Sequence, residues 1–173
     1  MVNEIADLLR DAGAVIRGDF TLASGKKSDY YIDVKSVLTN PVILKKLAQE
    51  IAGKCSFEVV AGVAVGAVPI AVAVSLVSGK PFAIIRSAGK DHGKGSMIIG
   101  DVKEKEVLLV EDVITSGGSV LHGIEELRAE GAHANTVVTI VDRQAGGEAV
   151  LREKGVLLIA LTSVAEILDD SRI

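Results

Sequence analysis

Two adjacent carboxylates, Glu111 and Asp112, follow the apolar run Val107-Leu108-Leu109-Val110 and precede Val113, Ile114 and the turn Thr115-Ser116-Gly117-Gly118-Ser119. A short continuous apolar run reads as a strand buried on both faces, and ligands of open parallel sheets collect beyond the carboxyl ends of such strands. The two glycines let the backbone curl closely around a phosphate. Thr115, Ser116 and Ser119 offer hydroxyl donors, and a helix starting after the turn adds unpaired N–H groups and a favourable dipole. Carboxylates repel a phosphate but accept from hydroxyls, so the acids and the turn suit one ligand together if it is a sugar phosphate. The spacing fits a ribose 5-phosphate. On these residues alone a plainer reading stays open, in which the acids cap a strand and hold the turn.

Composition makes any phosphate site a local device. The formal net charge of −4 gives no whole-molecule attraction for polyanions. Aromatic residues are 3% of the chain and Trp is absent, which argues against a base-stacking nucleic-acid platform. The single cysteine, Cys55, excludes an intramolecular disulfide and a multi-cysteine zinc module, and is consistent with a reducing compartment. His122 in a helix and His133 in a turn lack metal-ligand spacing. No Walker-type G-x-x-x-x-G-K-[ST] string occurs, and Gly62-Val-Ala-Val-Gly66 is too partial for a dinucleotide fingerprint.

The elements that must position these residues alternate. Ile5, Leu8, Leu9 and Ala12 share a helical face, and Tyr30 to Val34 has strand character. Asn40-Pro41 is an N-cap and first helical position for a helix reaching Gly53. Strands are then expected at 59–63, 81–86, 107–110, 135–141 and 156–161. Helices are expected at 67–77, up to Gly131, at 147–154 and after Ser163, which Glu166 completes as a capping box. Residues 87–100, with four glycines and little periodicity, read as a long loop or flexible ribbon. Such alternation predicts one α/β domain over residues 1–173 with parallel pairing through right-handed crossovers. Its 173 residues are too few for a (β/α)8 barrel, which takes about 250. No run reaches the 18 apolar residues of a membrane span, and the acidic, amphipathic start lacks signal-peptide character, so a cytoplasmic protein without membrane or nucleic-acid partners is expected.

The string VLLVEDVITSGGS at 107–119 resembles the phosphoribosyl pyrophosphate (PRPP) binding motif of type I phosphoribosyltransferases. FTLASGKKSDYYID at 20–33, KDHG at 90–93, and Asp142-Arg143 followed by Gly146-Gly147 are similar to orotate phosphoribosyltransferases in particular. The resemblance implies the type I phosphoribosyltransferase fold: a central, mostly parallel sheet flanked by helices, with a small N-terminal hood over about 1–35 and a lid over about 87–100. It implies magnesium-dependent transfer of ribose 5-phosphate from PRPP to orotate, giving orotidine 5′-monophosphate and pyrophosphate in pyrimidine synthesis. A homodimer whose lid reaches the neighbouring subunit's site is also implied.

By the same resemblance Glu111 and Asp112 hold the ribose hydroxyls, and Val113, Ile114, Thr115, Ser116, Gly117, Gly118 and Ser119 complete the PRPP contact. Arg86, Lys90 and His92 contact the pyrophosphate, with Lys90, His92 and Asp112 as the catalytic set. Thr115, Arg143, Tyr31 and Ile32 adjoin the orotate. Magnesium is carried mainly by PRPP and water, so no protein cage is expected. Two other functions compete. A phosphoribosyltransferase for a purine or another base shares the PRPP motif but not the 20–33 and 90–93 segments. A PRPP-sensing nucleic-acid-binding regulator would be expected to show a basic face or an appended DNA-binding element. Many members carry lysines where Ala23, Gly66 and Ser87 stand here. A charge-assisted hydrogen bond is worth about 1.5–3 kcal/mol, so the loss calls for replacements, and Lys26 and Lys27 are the nearest candidates.

Overall fold

In the computed structural model, residues 3–21, 25, 27–86 and 96–169 are described. The side-chain oxygen of Asn3 accepts from the N–H groups of Ile5 and Ala6 and so starts α1 (Glu4–Asp11). Arg10 Nε donates to the carbonyl of Ile167 and Asn3 Nδ2 to that of Leu161, which ties this helix to the far end of the chain. Then come β1 (Val15–Thr21) and β2 (Lys27–Ile32), an antiparallel pair forming its own two-stranded sheet. Asp33 caps the short α2 (Val34–Val37) by accepting from the Ser36 N–H. Asn40 caps α3 (Pro41–Ala52) in the same way, and Leu47, Ala48 and Ile51 are its buried face.

The regular part follows as β3 (Val59–Val63), α4 (Val68–Ser78), β4 (Phe82–Ile85), β5 (Ile98–Ile99) and β6 (Glu106–Ile114). It continues with α5 (Gly118–Ala129), β7 (His133–Asp142), α6 (Gly147–Glu153), β8 (Leu157–Ser163) and α7 (Val164–Leu168). The capping box of Ser163 and Glu166 opens α7 as expected. In the main sheet the strand order is β5-β4-β3-β6-β7-β8, parallel throughout except for β5. Pleating sends Leu108 and Val110 into a core shared with Leu9, Leu47 and Ile70. Their neighbours Val107 and Leu109 enter a second core with Ile124, Leu127 and Leu151. Both faces of the sheet are therefore covered by helices, and β6 is apolar on both sides for that reason. No described helix is long and apolar enough to cross a membrane.

Several boundaries differ from the sequence expectation. The strand expected at 107–110 runs on to Ile114, because β7 keeps pairing with it from Glu111↔Thr139 to Ile114↔Asp142. The acids therefore lie inside a strand, not at its end. Strand β1, over Val15–Thr21, has no counterpart in the sequence expectation, because its mostly exposed residues give no burial period to read. Val34, expected to end a strand, instead opens α2 once Asp33 caps it. Within the 87–100 segment, Ile98 and Ile99 pair antiparallel with Ile85 and Ile84, while 87–95 lie outside the described residues.

Candidate active site

Strand β3 pairs with β6 only as far as Gly62↔Val110. Beyond that point β6 continues with β7 alone, so Glu111 and Asp112 lie where the sheet has opened on one side. The chain leaves β3 through the turn 64–67. Gly62 keeps that turn tight, since a Cβ there would stand 2.7 Å from the carbonyl oxygen of Ala67. Gly66 comes so near the acids that a Cβ on it would lie 3.5 Å from Asp112 Oδ2.

Both acids are buried, Glu111 at 7% and Asp112 at 5% exposure. The Asp112 N–H donates to Glu111 Oε1 at 3.0 Å, and the Val113 N–H donates to Asp112 Oδ1 at 2.9 Å. Lys35 Nζ, from α2, stands 2.8 Å from Asp112 Oδ2. The contact is an ion pair by distance without hydrogen-bond alignment, and Oδ2 has no hydrogen-bond partner among the described residues. Burial, followed by the hydrogen bond and charge of Asp112, pushes the Glu111 carboxyl up to about 8. Burial also opposes ionisation of Asp112, but the hydrogen bond from Glu111 and the Lys35 ammonium outweigh it and hold that carboxyl below its ordinary range. The Asp112 carboxylate beside it raises Lys35 against its own desolvation. The surroundings thus favour the proton on Glu111 and the charge on Asp112, beside the Lys35 ammonium.

After β6 the turn 115–118 is held from behind. The Gly147 N–H donates to the Thr115 carbonyl at 3.0 Å, and Gly117, with φ 82°, starts α5 without any side-chain cap. The first N–H groups of α5 are thus left for a ligand, beside the exposed Thr115, Ser116, Gly118 and Ser119. On the other flank the Arg143 N–H donates to the Ile114 carbonyl at 2.9 Å. Its guanidinium lies 5.9 Å from the centroid of the Tyr30 ring, within cation–π range. Tyr31 stacks obliquely on Phe20, with ring centroids 5.8 Å apart. A cavity of about 140 Å³ joins these parts and is lined by Tyr31, Ile32, Lys35, Asp112, Thr115 and Arg143 among others. Larger hollows beside the β1–β2 ribbon and between α3 and α4 contain neither acid.

No three His, Cys, Asp or Glu side chains come together as a metal cage among the described residues. Of the two acids, Asp112 alone lines the cavity and offers a cation carboxylate oxygen. That donor set suits magnesium in its usual manner of binding, through substrate phosphates and waters with one or two carboxylates beside them.

The model of the phosphoribosyl transferase domain family matches residues 33–164. An orotate phosphoribosyltransferase of Methanoculleus marisnigri is 61% identical over 169 residues, covering 98% of this chain and 99% of the relative. The chain belongs to the orotate phosphoribosyltransferase family. A crystal structure of orotate phosphoribosyltransferase from Aeropyrum pernix superposes with a TM-score of 0.86 at 34% identity, over 96% of this chain and 97% of that one. The Mycobacterium tuberculosis orotate phosphoribosyltransferase in complex with PRPP gives a TM-score of 0.77 at 27% identity, over 95% and 97% of the two chains.

Of the residues expected at an orotate phosphoribosyltransferase site, Tyr31, Ile32, Asp112, Val113, Thr115 and Arg143 line the one cavity. Arg86 follows β4, half-buried, at the same end of the sheet as the 64–67 turn, and its N–H donates to the Met97 carbonyl. Lys90, His92, Lys26, Ala23 and Ser87 lie outside the described residues. Lys27 Nζ donates to Thr21 Oγ1 and faces the hollow beside the β1–β2 ribbon, not the acids. Sequence reasoning missed Lys35 and Tyr30. Lys35 had no signal of its own, since only the unforeseen helix α2 turns it toward β6.

Proposed function

We propose that the chain transfers ribose 5-phosphate from PRPP to N1 of orotate, releasing pyrophosphate and forming orotidine 5′-monophosphate. The observation that carries this reading is that one cavity is lined by Asp112, by Thr115 and by Arg143, and that the chain runs from Thr115 directly into the uncapped start of α5. Those three groups match a ribose, a 5-phosphate and a carboxylated base. Asp112 accepts from the ribose hydroxyls, and the hydroxyls and N–H groups from Thr115 to Ser119 hold the 5-phosphate. Arg143 meets the orotate carboxylate with a planar, bidentate fork, and Tyr31 and Ile32 pack beside the ring.

In the reaction the C1–oxygen bond to pyrophosphate breaks and the C1–N1 bond forms, with the N1 proton of orotate passing to solvent. Positive charge grows on the ribose ring and negative charge on the leaving group. The Asp112 anion lies on the side where the ribose charge develops, and preorganised charge of this kind lowers a barrier without reorganising during the step. Arg86, with Lys90 and His92, stabilises the leaving pyrophosphate. Magnesium bound to PRPP would supply further positive charge to that leaving group. Lys90 and His92 act from the partner subunit of a homodimer in the cytoplasm.

Loss of orotate absorbance with PRPP and magnesium, run beside uracil, adenine and hypoxanthine, tests the reading. Turnover of orotate alone is expected. Turnover of a purine without orotate loss would replace it with the other-base enzyme.

A further inference from the structure

Asp112 has one oxygen to spare. Its Oδ1 accepts from the Val113 N–H, and its buried Oδ2 faces only the Lys35 ammonium at 2.8 Å. Oδ2 is thus the open acceptor for a ribose hydroxyl approaching Asp112, and Lys35 already stands there. The lysine is free to leave: its side chain is 65% exposed, on a flexible stem that starts from a single turn of helix. Its path is set by the absence of a side chain at Gly66. A Cβ there would stand 2.9 Å from Lys35 Cε and 3.6 Å from Nζ, so the stem crosses the 64–67 turn over that glycine. The ammonium thus sits between the carboxylate that takes the ribose and the turn beside it.

We infer that Lys35 is an exchangeable counter-ion: it neutralises Asp112 in the free protein and passes to the diphosphate of PRPP when the ribose hydroxyls take Oδ2. The inference rests on the PRPP reading above. Exchange keeps the buried carboxylate partnered at each stage, first by the ammonium and then by hydroxyls, and delivers a cation to the incoming polyanion. Lys35 is a binding residue for the diphosphate end of the substrate, and Gly66 is the space it needs.

Calorimetric titration of PRPP without orotate, followed by steady-state kinetics, tests this on Lys35→Gln, Lys35→Arg and the double variant Lys35→Ala/Gly66→Lys. Lys35 exchanges a contact with the single charge of Asp112 for one with the more highly charged diphosphate, so its removal costs the difference between the two; one charge-assisted bond, roughly a 10- to 150-fold change, sets the scale. Lys35→Gln is expected to weaken PRPP binding by at least about 10-fold, while kcat at saturating PRPP and KM for orotate stay within about threefold. Lys35→Arg retains most of the affinity. The double variant, bringing an ammonium to the same spot from the turn, recovers part of what Lys35→Gln loses. A crystal structure with PRPP should show Nζ on a diphosphate oxygen and a ribose hydroxyl on Oδ2. Unchanged PRPP affinity in folded Lys35→Gln, or Nζ still held only by Asp112 in that complex, overturns the exchange while leaving the wild-type activity on orotate intact. Failure of the wild-type protein to bind PRPP would instead remove the functional reading, and this inference with it.

Discussion

Gly147 and Thr115 are in backbone contact across the site: a Cβ on Gly147 would stand 2.7 Å from the Thr115 carbonyl oxygen and 2.6 Å from Ile114 Cγ2. The Gly147 N–H donates to that same carbonyl. The start of α6 is thus the mould against which the phosphate turn is shaped. Gly147→Ala must push the turn away from the position that aims its N–H groups. An expected destabilisation of about 1–3 kcal/mol, the usual cost of overpacking, is read by urea unfolding, and KM for PRPP should rise together with it.

The acid pair makes a prediction about pH. The folded-state pKa of Glu111, about 8, lies above its ordinary 4.5. Between those values the unfolded chain releases a proton that the folded chain retains. Stability from this group is therefore present below about pH 4.5 and lost as pH rises through the window to about 8, with a slope of at most about 1.4 kcal/mol per pH unit. Asp112, shifted downward, acts in the opposite sense and only in acid. Denaturant unfolding of Glu111→Gln at pH 5, 6.5 and 8 should show a flatter profile than wild type. Parallel profiles would mean that Glu111 ionises normally in the fold.

Arg143 is expected to discriminate between charge and geometry. Arg143→Ala should raise KM for orotate by about 10-fold or more, from the loss of a charge-assisted pair. Arg143→Lys should recover little of it, because an ammonium lacks the planar fork and stacks less well on Tyr30. Steady-state kinetics at saturating PRPP reads both. Full recovery by lysine would leave Arg143 as a point charge only.

A shared site can be tested by mixing subunits. Lys90→Ala and Asp112→Ala chains, each inactive alone, should regain partial activity when hybrid dimers form, because one of the two sites then carries both intact residues. Hybrids that form, as seen by native mass spectrometry, and remain inactive would place Lys90 in its own subunit's site.

Much of this arrangement was legible in the residues. Val107 to Val110 announced a strand buried on both faces, and the order of acids, hydroxyls and glycines after it gave the expectation of a sugar-phosphate site on which the proposed function builds. Those signals are local, one apolar run and one turn. The extension of β6 to Ile114 was hidden because it depends on β7 continuing to pair after β3 has stopped, which is a property of three strands. Lys35 was hidden for a similar reason. It lies 77 positions before Asp112 in the chain and meets it only because Asp33 ends β2 and turns α2 toward β6. Of the positions 23, 66 and 87 that lack a lysine, only Ala23 lies near Lys26 and Lys27 in the sequence. Lys27 instead bonds Thr21, and the cation over Gly66 comes from α2. Scarcity of rings was informative too: Phe20, Tyr30 and Tyr31, of the chain's three Phe and two Tyr, gather beside the cavity or the arginine that lines it.

Phosphorus NMR of the wild-type protein with PRPP, orotate and magnesium follows the transfer atom by atom. The diphosphate resonances of PRPP should give way to free pyrophosphate while one new phosphomonoester, orotidine 5′-monophosphate, grows in equal amount. Unchanged PRPP resonances, or ribose 5-phosphate appearing in place of the nucleotide, would contradict it.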